Sequence, residues 1–207
     1  MTSRTYPLVL TFCALLAVGC GEATHDGDSG APGDCGGDIA EPATGKLIFI
    51  SSERYSADLG GLEGADAKCQ TLAEAAGLGG EFKAWLSTLS TSAASRLTHS
   101  SEPYVLSNGV LVANDWADLT SGTLRHEFDQ TESPELAPPN AAGSCNPLVF
   151  WTSTDERGSQ FGGDCDGWTT TSEAVDGHLG VISTGATWST FCFGGCDTSA
   201  PILCLEQ

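Results

Sequence analysis

Leu62-Glu63-Gly64-Ala65-Asp66-Ala67-Lys68-Cys69-Gln70-Thr71-Leu72-Ala73-Glu74-Ala75-Ala76 is the stretch whose reading decides the fold class. Leu62, Ala65, Cys69, Leu72, Ala73 and Ala76 recur three, four or seven apart, so they share one face of a helix over 62–76. Gly77 and the Gly79-Gly80 pair stop that helix. Cys69 falls on the apolar face and points to the core, placed for a buried disulfide. Upstream, Lys46 to Ser51 is β-branched and aromatic and reads as a first strand. Downstream, Phe82 to Leu86 reads as a second strand and Ser92 to Leu97 as a short helix. Tyr104 to Ala113 holds Asn108-Gly109 between two apolar runs, a strong hairpin signal. Residues 114–147 lack periodicity, carry Pro134, Pro138 and Pro139, and read as long loops. Leu148 to Thr152 is expected to be a strand, followed by glycine-rich loops containing Trp168 and Trp188, and Ile202 to Leu205 to be the last strand. Strands and helices do not alternate as βα units, which predicts an α+β domain.

The 207 residues carry 27 acids against 8 bases, a formal net charge of −19. Phosphate backbones are gripped by basic patches, and so few bases spread over the chain make none. Nucleic acid, heparin-like polyanions and anionic lipid surfaces are therefore excluded as partners. The domain from residue 45 onward keeps 21 acids and 7 bases, a net of −14, so the acidity belongs to the folded part as well. Hydrophobic residues make up 40%, enough for a core.

Residues 1–19 read as a signal for export. Arg4 precedes an uncharged run from Leu8 to Val18, too short to span a bilayer as a helix. Leu16-Ala17-Val18-Gly19-Cys20 resembles the bacterial lipobox, which implies cleavage before Cys20, acylation of that cysteine and a lipid anchor as the only membrane contact. Gly21 is not the aspartate that retains such lipoproteins at the inner membrane, so the resemblance implies the outer membrane or cell surface. Residues 20–44 hold six acids, no base and Ile39 as the only large apolar residue. This composition reads as a flexible, self-repelling tether, leaving 45–207 as the domain.

Beyond Cys13 in the signal and Cys20, seven cysteines remain: Cys35, Cys69, Cys145, Cys165, Cys192, Cys196 and Cys204. In an exported protein they are disulfide candidates, and counting alone leaves their connectivity open. The alternative is a zinc site built on Cys192 and Cys196 with Cys165 and Cys204, which an oxidising compartment disfavours.

A cysteine on the first helix, another in the last strand and a nested pair between them resemble the C-type lectin-like and endostatin-like domains. A closer resemblance, to the bacterial domain of unknown function numbered 1554, rests on several stretches. These are Leu59 to Gln70, Lys83-Ala84-Trp85-Leu86-Ser87, Arg96-Leu97-Thr98 and Asn114 to Thr120, then Val149-Phe150-Trp151-Thr152, Cys165-Asp166-Gly167-Trp168-Thr169 and Leu203 to Gln207. The resemblance implies a lectin-like fold with small mixed or antiparallel sheets, one or two helices and long disulfide-pinned loops. First and last strands would share a sheet. It also implies the pairs Cys69–Cys204 and Cys165–Cys196, with Cys145–Cys192 as the third and Cys35 left over.

Lectins of this fold hold sugar through calcium, which needs side-chain oxygens. Trp188 is followed by Ser189-Thr190, and Pro139-Asn140 is preceded by Pro138, so the usual ligand set is missing and no cofactor is expected. Asp155, Glu156, Asp164 and Asp166 are the acids through which calcium would have to bind otherwise. His25, His99, His126 and His178 are scattered, unlike the zinc and heparin features of endostatin. Trp116, Trp151, Trp168 and Trp188 read first as core residues. Where aromatic residues do reach a ligand, Trp168 and Trp188 with Asp164 and Asp166 form the candidate surface, and exposed tryptophans would point to a glycan. No nucleophile elbow, phosphate loop or two-histidine zinc spacing occurs. The expectation is a non-catalytic surface module for extracellular protein or glycan ligands. The alternatives are a structural envelope component and, more remotely, a secreted hydrolase.

Overall fold

A computed structural model describes residues 44–137, 139, 145 and 148–207. The signal, Cys20, the tether, Cys35, Pro138 and Asn140 lie outside the described residues. The observed class is α+β, with two small sheets, one long helix and three disulfides.

The first sheet is mixed. It comprises β1 (Lys46–Ile50), β2 (Phe82–Ala84), β3 (Tyr104–Val105), β4 (Leu111–Ala113) and β8 (Leu203–Glu206), in the order β2-β8-β1-β3-β4. The first and last strands are antiparallel neighbours, with Phe49 opposite Cys204. β8 also pairs antiparallel with β2, Ala84 opposite Cys204. Among the described residues its parallel pair is β1 with β3. β3 and β4 form the expected hairpin, in which the Leu106 N–H donates to Val110 O at 2.9 Å. Gly109 stands at φ 81° in its turn, a conformation glycine adopts freely.

The second sheet is antiparallel: β5 (Val149–Trp151), β6 (Asp176–Val181) and β7 (Cys192–Gly195). β6 and β7 lie in the stretch expected to be glycine-rich loops. Gly177, Gly180, Gly194 and Gly195 mask the strand pattern, since glycine has low β-propensity. Their role is close approach. A Cβ at Gly177 would meet Cys165 Sγ and Trp151 Cζ3, each at 2.7 Å, so the strand lies flat beneath the indole because its own side chain is missing.

α1 spans Gly61–Ala75 and buries Ala65, Cys69, Leu72 and Ala73, the face read from the spacing. Three further helical segments are single turns: α2 (Ala93–Arg96), α3 (Trp116–Leu119) and α4 (Cys165–Trp168). The expected one or two helices are thus four among the described residues. α3 falls in a stretch expected to be loop, and is too short to leave a periodic signature. Its start is set by Asp115, whose side chain accepts from the Asp118 N–H. α4 is wound left-handed, with positive φ at Cys165, Asp166, Gly167 and Trp168.

Two apolar clusters fill the interior. One packs α1 against Phe49, Phe82, Trp151, Trp168 and the Cys69–Cys204 and Cys165–Cys196 disulfides. The other centres on Trp85, Phe128, Phe150 and Trp188. In it the Phe128 ring meets Phe150 edge-on at 5.2 Å and Trp188 at 5.6 Å.

Cys69 joins Cys204, Cys165 joins Cys196 and Cys145 joins Cys192, with Cα–Cα distances of 5.6, 5.7 and 6.6 Å. These are the pairs implied by the resemblance. The zinc alternative is corrected, because Cys165, Cys192, Cys196 and Cys204 are all consumed in disulfides. Among the described residues no helix is long and apolar enough to cross a membrane.

Candidate ligand-binding surface

β5 runs into Thr152-Ser153-Thr154, which is buried although every side chain carries a hydroxyl. Burial of hydroxyls is tolerated only when they are hydrogen-bonded, and here they are. Ser189 Oγ accepts from Trp85 Nε1 at 2.8 Å and donates to Thr154 O at 2.7 Å. Thr154 Oγ1 lies 2.9 Å from Ser87 Oγ, which accepts the Ala93 N–H at 2.9 Å. Ser153 Oγ donates to Gly163 O. This network ties the end of β5 to Trp85 and Ser87, just after β2, and to Ala93 of α2.

The loop from Asp155 to Asp164 folds back on itself. Asp155 Oδ1 accepts from the Arg157 and Ser159 N–H groups at 3.0 and 2.7 Å. The Phe161 N–H returns to Ser153 O at 2.9 Å. The loop ends at Asp164, only 7% exposed, whose Oδ2 accepts from the Leu89 N–H at 2.8 Å. Next comes the left-handed turn of α4, closed by Trp168 N–H to Asp164 O at 2.7 Å and Thr169 N–H to Cys165 O at 3.1 Å.

Trp168 and Trp188, read first as core residues and second as a candidate ligand surface, are fully buried, which removes them from that surface. Trp168 Nε1 donates to Ser87 O at 2.8 Å while its ring meets Trp151 edge-on. Trp188 fills the second cluster. Asp164 is a structural acceptor. Of the four residues only Asp166 is exposed. Asp155, Glu156, Asp164 and Asp166 do not converge either: among the described residues no three His, Cys, Asp or Glu side chains gather as a metal site.

The aromatic side chains that reach solvent are phenylalanines, while Leu89 and Leu136 are exposed on separate loops. Phe161 is 44% exposed, Phe191 43% and Phe193 65%. Between the first and last sits His178 of β6, 3% exposed, its ring 4.7 Å from Phe161 and 4.6 Å from Phe193, edge-on to both. Phe193 is the direct cross-strand partner of His178. Phe191 extends the ladder through its N–H to Leu179 O at 2.9 Å, and the alternation along this chain turns Phe191 and Phe193 outward while Cys192 points in. Among the described residues His178 Nδ1 has no hydrogen-bond partner, and a Cβ at Gly162 would lie 2.7 Å from it. Burial pushes the His178 pKa down, against the pull of the Glu156 carboxylate.

Phe161 also forms one wall of a cleft of about 440 Å³ shared with Asp155, Glu156, Arg157, Ser121 and Thr190. The Thr190 hydroxyl donates to Glu156 Oε1. A groove of similar volume runs beside α1, but its polar groups satisfy one another. Tyr55 Oη donates to Glu53 at 3.0 Å, and the Lys68 ammonium sits 5.0 Å above the Tyr55 ring.

Sequence reasoning missed the phenylalanines because it sought tryptophan and acids. The signal was present as Phe191-Cys192-Phe193, an aromatic on either side of a half-buried cysteine. That is the period-two pattern of a strand with one exposed face. The described histidines other than His178 bond only backbone carbonyls, His99 to Ala94 O and His126 to Glu127 O. Compared with known protein families and with curated proteins, the chain gives no match.

Proposed function

We propose that this chain is an exported bacterial lipoprotein, anchored through acylated Cys20 at the outer membrane or cell surface. Its domain, residues 45–207, is a C-type lectin-like (endostatin-like) module that binds an extracellular protein or glycan without catalysis. One observation carries the binding role: Phe161, Phe191 and Phe193 are exposed, with Phe161 tied to Ser153 O through its N–H and the Phe161 and Phe193 rings set edge-on against buried His178. A monomeric soluble domain gains nothing from such a cluster, and exposed apolar patches mark interaction surfaces. The pairing of first and last strands, the helix-to-last-strand disulfide and the nested Cys165–Cys196 pair support the lectin-like reading. The lipobox resemblance and the acidic tether support surface display.

The test is an array of glycans and extracellular matrix proteins probed with the full chain, with calcium and with chelator. Binding that survives chelation and weakens in Phe161→Ser/Phe193→Ser is the expected result. Binding abolished by chelation would overturn the calcium-independent reading, and no binding to any probe would leave a structural envelope role. Cys20→Ser should release the protein into soluble fractions, and unchanged membrane association would refute the anchor.

A further inference from the structure

Resting on the binding role above, we infer that the phenylalanine surface takes a protein segment in which apolar side chains are flanked by Lys or Arg. Three observations combine. The centre is apolar: Phe161 and Phe193 stand on either side of His178, and Phe191 extends the patch along the same strand.

The rim is acidic on both sides. Asp155 and Glu156 share the cleft wall with Phe161. At the far end of β7, Gly195 pairs with exposed Asp176, and a Cβ on Gly195 would touch Asp197 Oδ1 at 2.9 Å and Glu173 Cα at 3.6 Å. The cations that would neutralise this rim are engaged elsewhere. Lys46, Lys83, Arg96 and Arg125 pair with Glu206, Glu81, Asp66 and Asp118, Arg54 donates to Pro139 O and Lys68 sits over the Tyr55 ring, which leaves Arg157 as the base of the cleft. An apolar centre inside a negative rim is complementary to an apolar segment carrying positive charge, and the rim steers such a partner toward the patch.

The third observation selects protein over glycan. Tyr and Trp join an apolar ring to a polar edge able to hydrogen-bond a sugar hydroxyl, and Phe has no such edge. Trp85, Trp151, Trp168 and Trp188 are fully buried, and Trp116 is stacked on His99 at 4.2 Å. The outward aromatic faces of this patch are phenylalanines, which have no such edge and match aliphatic or aromatic side chains. Rings already fixed against His178 lose little freedom on binding, which favours affinity.

The experiment is fluorescence anisotropy with the full chain and three short labelled peptides: alternating Leu and Lys, alternating Leu and Glu, and alternating Ser and Lys. The Leu/Lys peptide should bind most tightly, and added salt should weaken it. Phe161→Ser/Phe193→Ser should weaken it by about tenfold or more, the loss expected when two apolar anchors are truncated. Leu136→Ser, a change at an exposed leucine of another loop, should leave it unaltered. Because Phe161 and Phe193 also cover His178, a second variant changes only exposed rim acids: Glu173→Lys/Asp197→Lys should weaken Leu/Lys binding with the thermal midpoint unchanged. Equal binding of the Leu/Glu peptide, or Leu/Lys binding unaffected by both double variants, would overturn the inference. Glycan-array binding lost in Phe161→Ser/Phe193→Ser, with no peptide bound, would overturn it too while leaving the binding role standing. Failure of both peptides and array would defeat the two together.

Discussion

Cys69 on α1 is bonded to Cys204 of β8, an interior strand of the first sheet, across 135 residues of chain. Phe49 of β1 and Ala84 of β2 both lie opposite Cys204, so this one bond fastens the long helix to the strand that joins β1 to β2. A crosslink closing so long a loop removes much of the unfolded chain's freedom, and its loss costs roughly 2–5 kcal/mol. Cys69→Ser/Cys204→Ser should therefore lower the denaturant midpoint substantially, measured by tryptophan fluorescence in urea. A midpoint within error of the parent would show that the core holds α1 without the bridge.

The three disulfides differ in access. Cys69, Cys204, Cys165 and Cys196 are fully buried, whereas Cys145 is exposed and Cys192 half-buried. Exchange needs a thiolate to reach a disulfide sulfur, so graded reductant followed by alkylation and mass spectrometry should label Cys145 and Cys192 first. Labelling of Cys165 or Cys69 at the same reductant concentration would contradict the described burial. Cys192 lies between Phe191 and Phe193, so this reduction also loosens β7, and the patch should lose ligand before the fold is lost.

The parts of the fold legible in the sequence are those written in period. The α1 face, β1, the Asn108-Gly109 hairpin and the closing strand each fall within a residue or two of their expected bounds. β6 and β7 were illegible for a physical reason: glycine serves a strand that must pass beneath Trp151, and glycine is also the commonest sign of a loop. Burial of Trp168 and Trp188 was legible as the default for tryptophan. Exposure of three phenylalanines was not, because nothing local distinguishes an outward Phe from a core one until the strand pairing is known.

Two glycines near α1 should behave oppositely. A Cβ at Gly64 would overlap the carbonyl oxygen of Leu59, whose N–H reaches back to Trp168 O at 3.0 Å. Gly64→Ala gains helix propensity worth about 1 kcal/mol but forces backbone apart in a packed site, at a cost of about 1–3 kcal/mol. It should destabilise. Gly79 has open space around it and no positive φ, so Gly79→Ala should be neutral or stabilising by up to about 1 kcal/mol. Thermal midpoints of the two variants decide this, and a stabilised Gly64→Ala would mean that Leu59 O does not crowd Gly64.

His178 supplies a pH signature. Its ordinary pKa is 6.5, and burial beneath Phe161 and Phe193 lowers it, opposed by the Glu156 carboxylate on the neighbouring loop. A histidine kept neutral in the fold binds fewer protons folded than unfolded over the interval between its lowered value and 6.5. Stability is then full above that interval, falls as pH drops through it and levels off below the folded pKa. Carboxylates contribute their own slope at lower pH, so the readout is a difference between proteins. Urea midpoints of wild type and His178→Gln, compared from neutral to mildly acidic pH, should converge on acidification, because only the wild type has an imidazole to protonate. A gap that stays constant with pH would show that His178 titrates freely and that the two phenylalanines do not seal it.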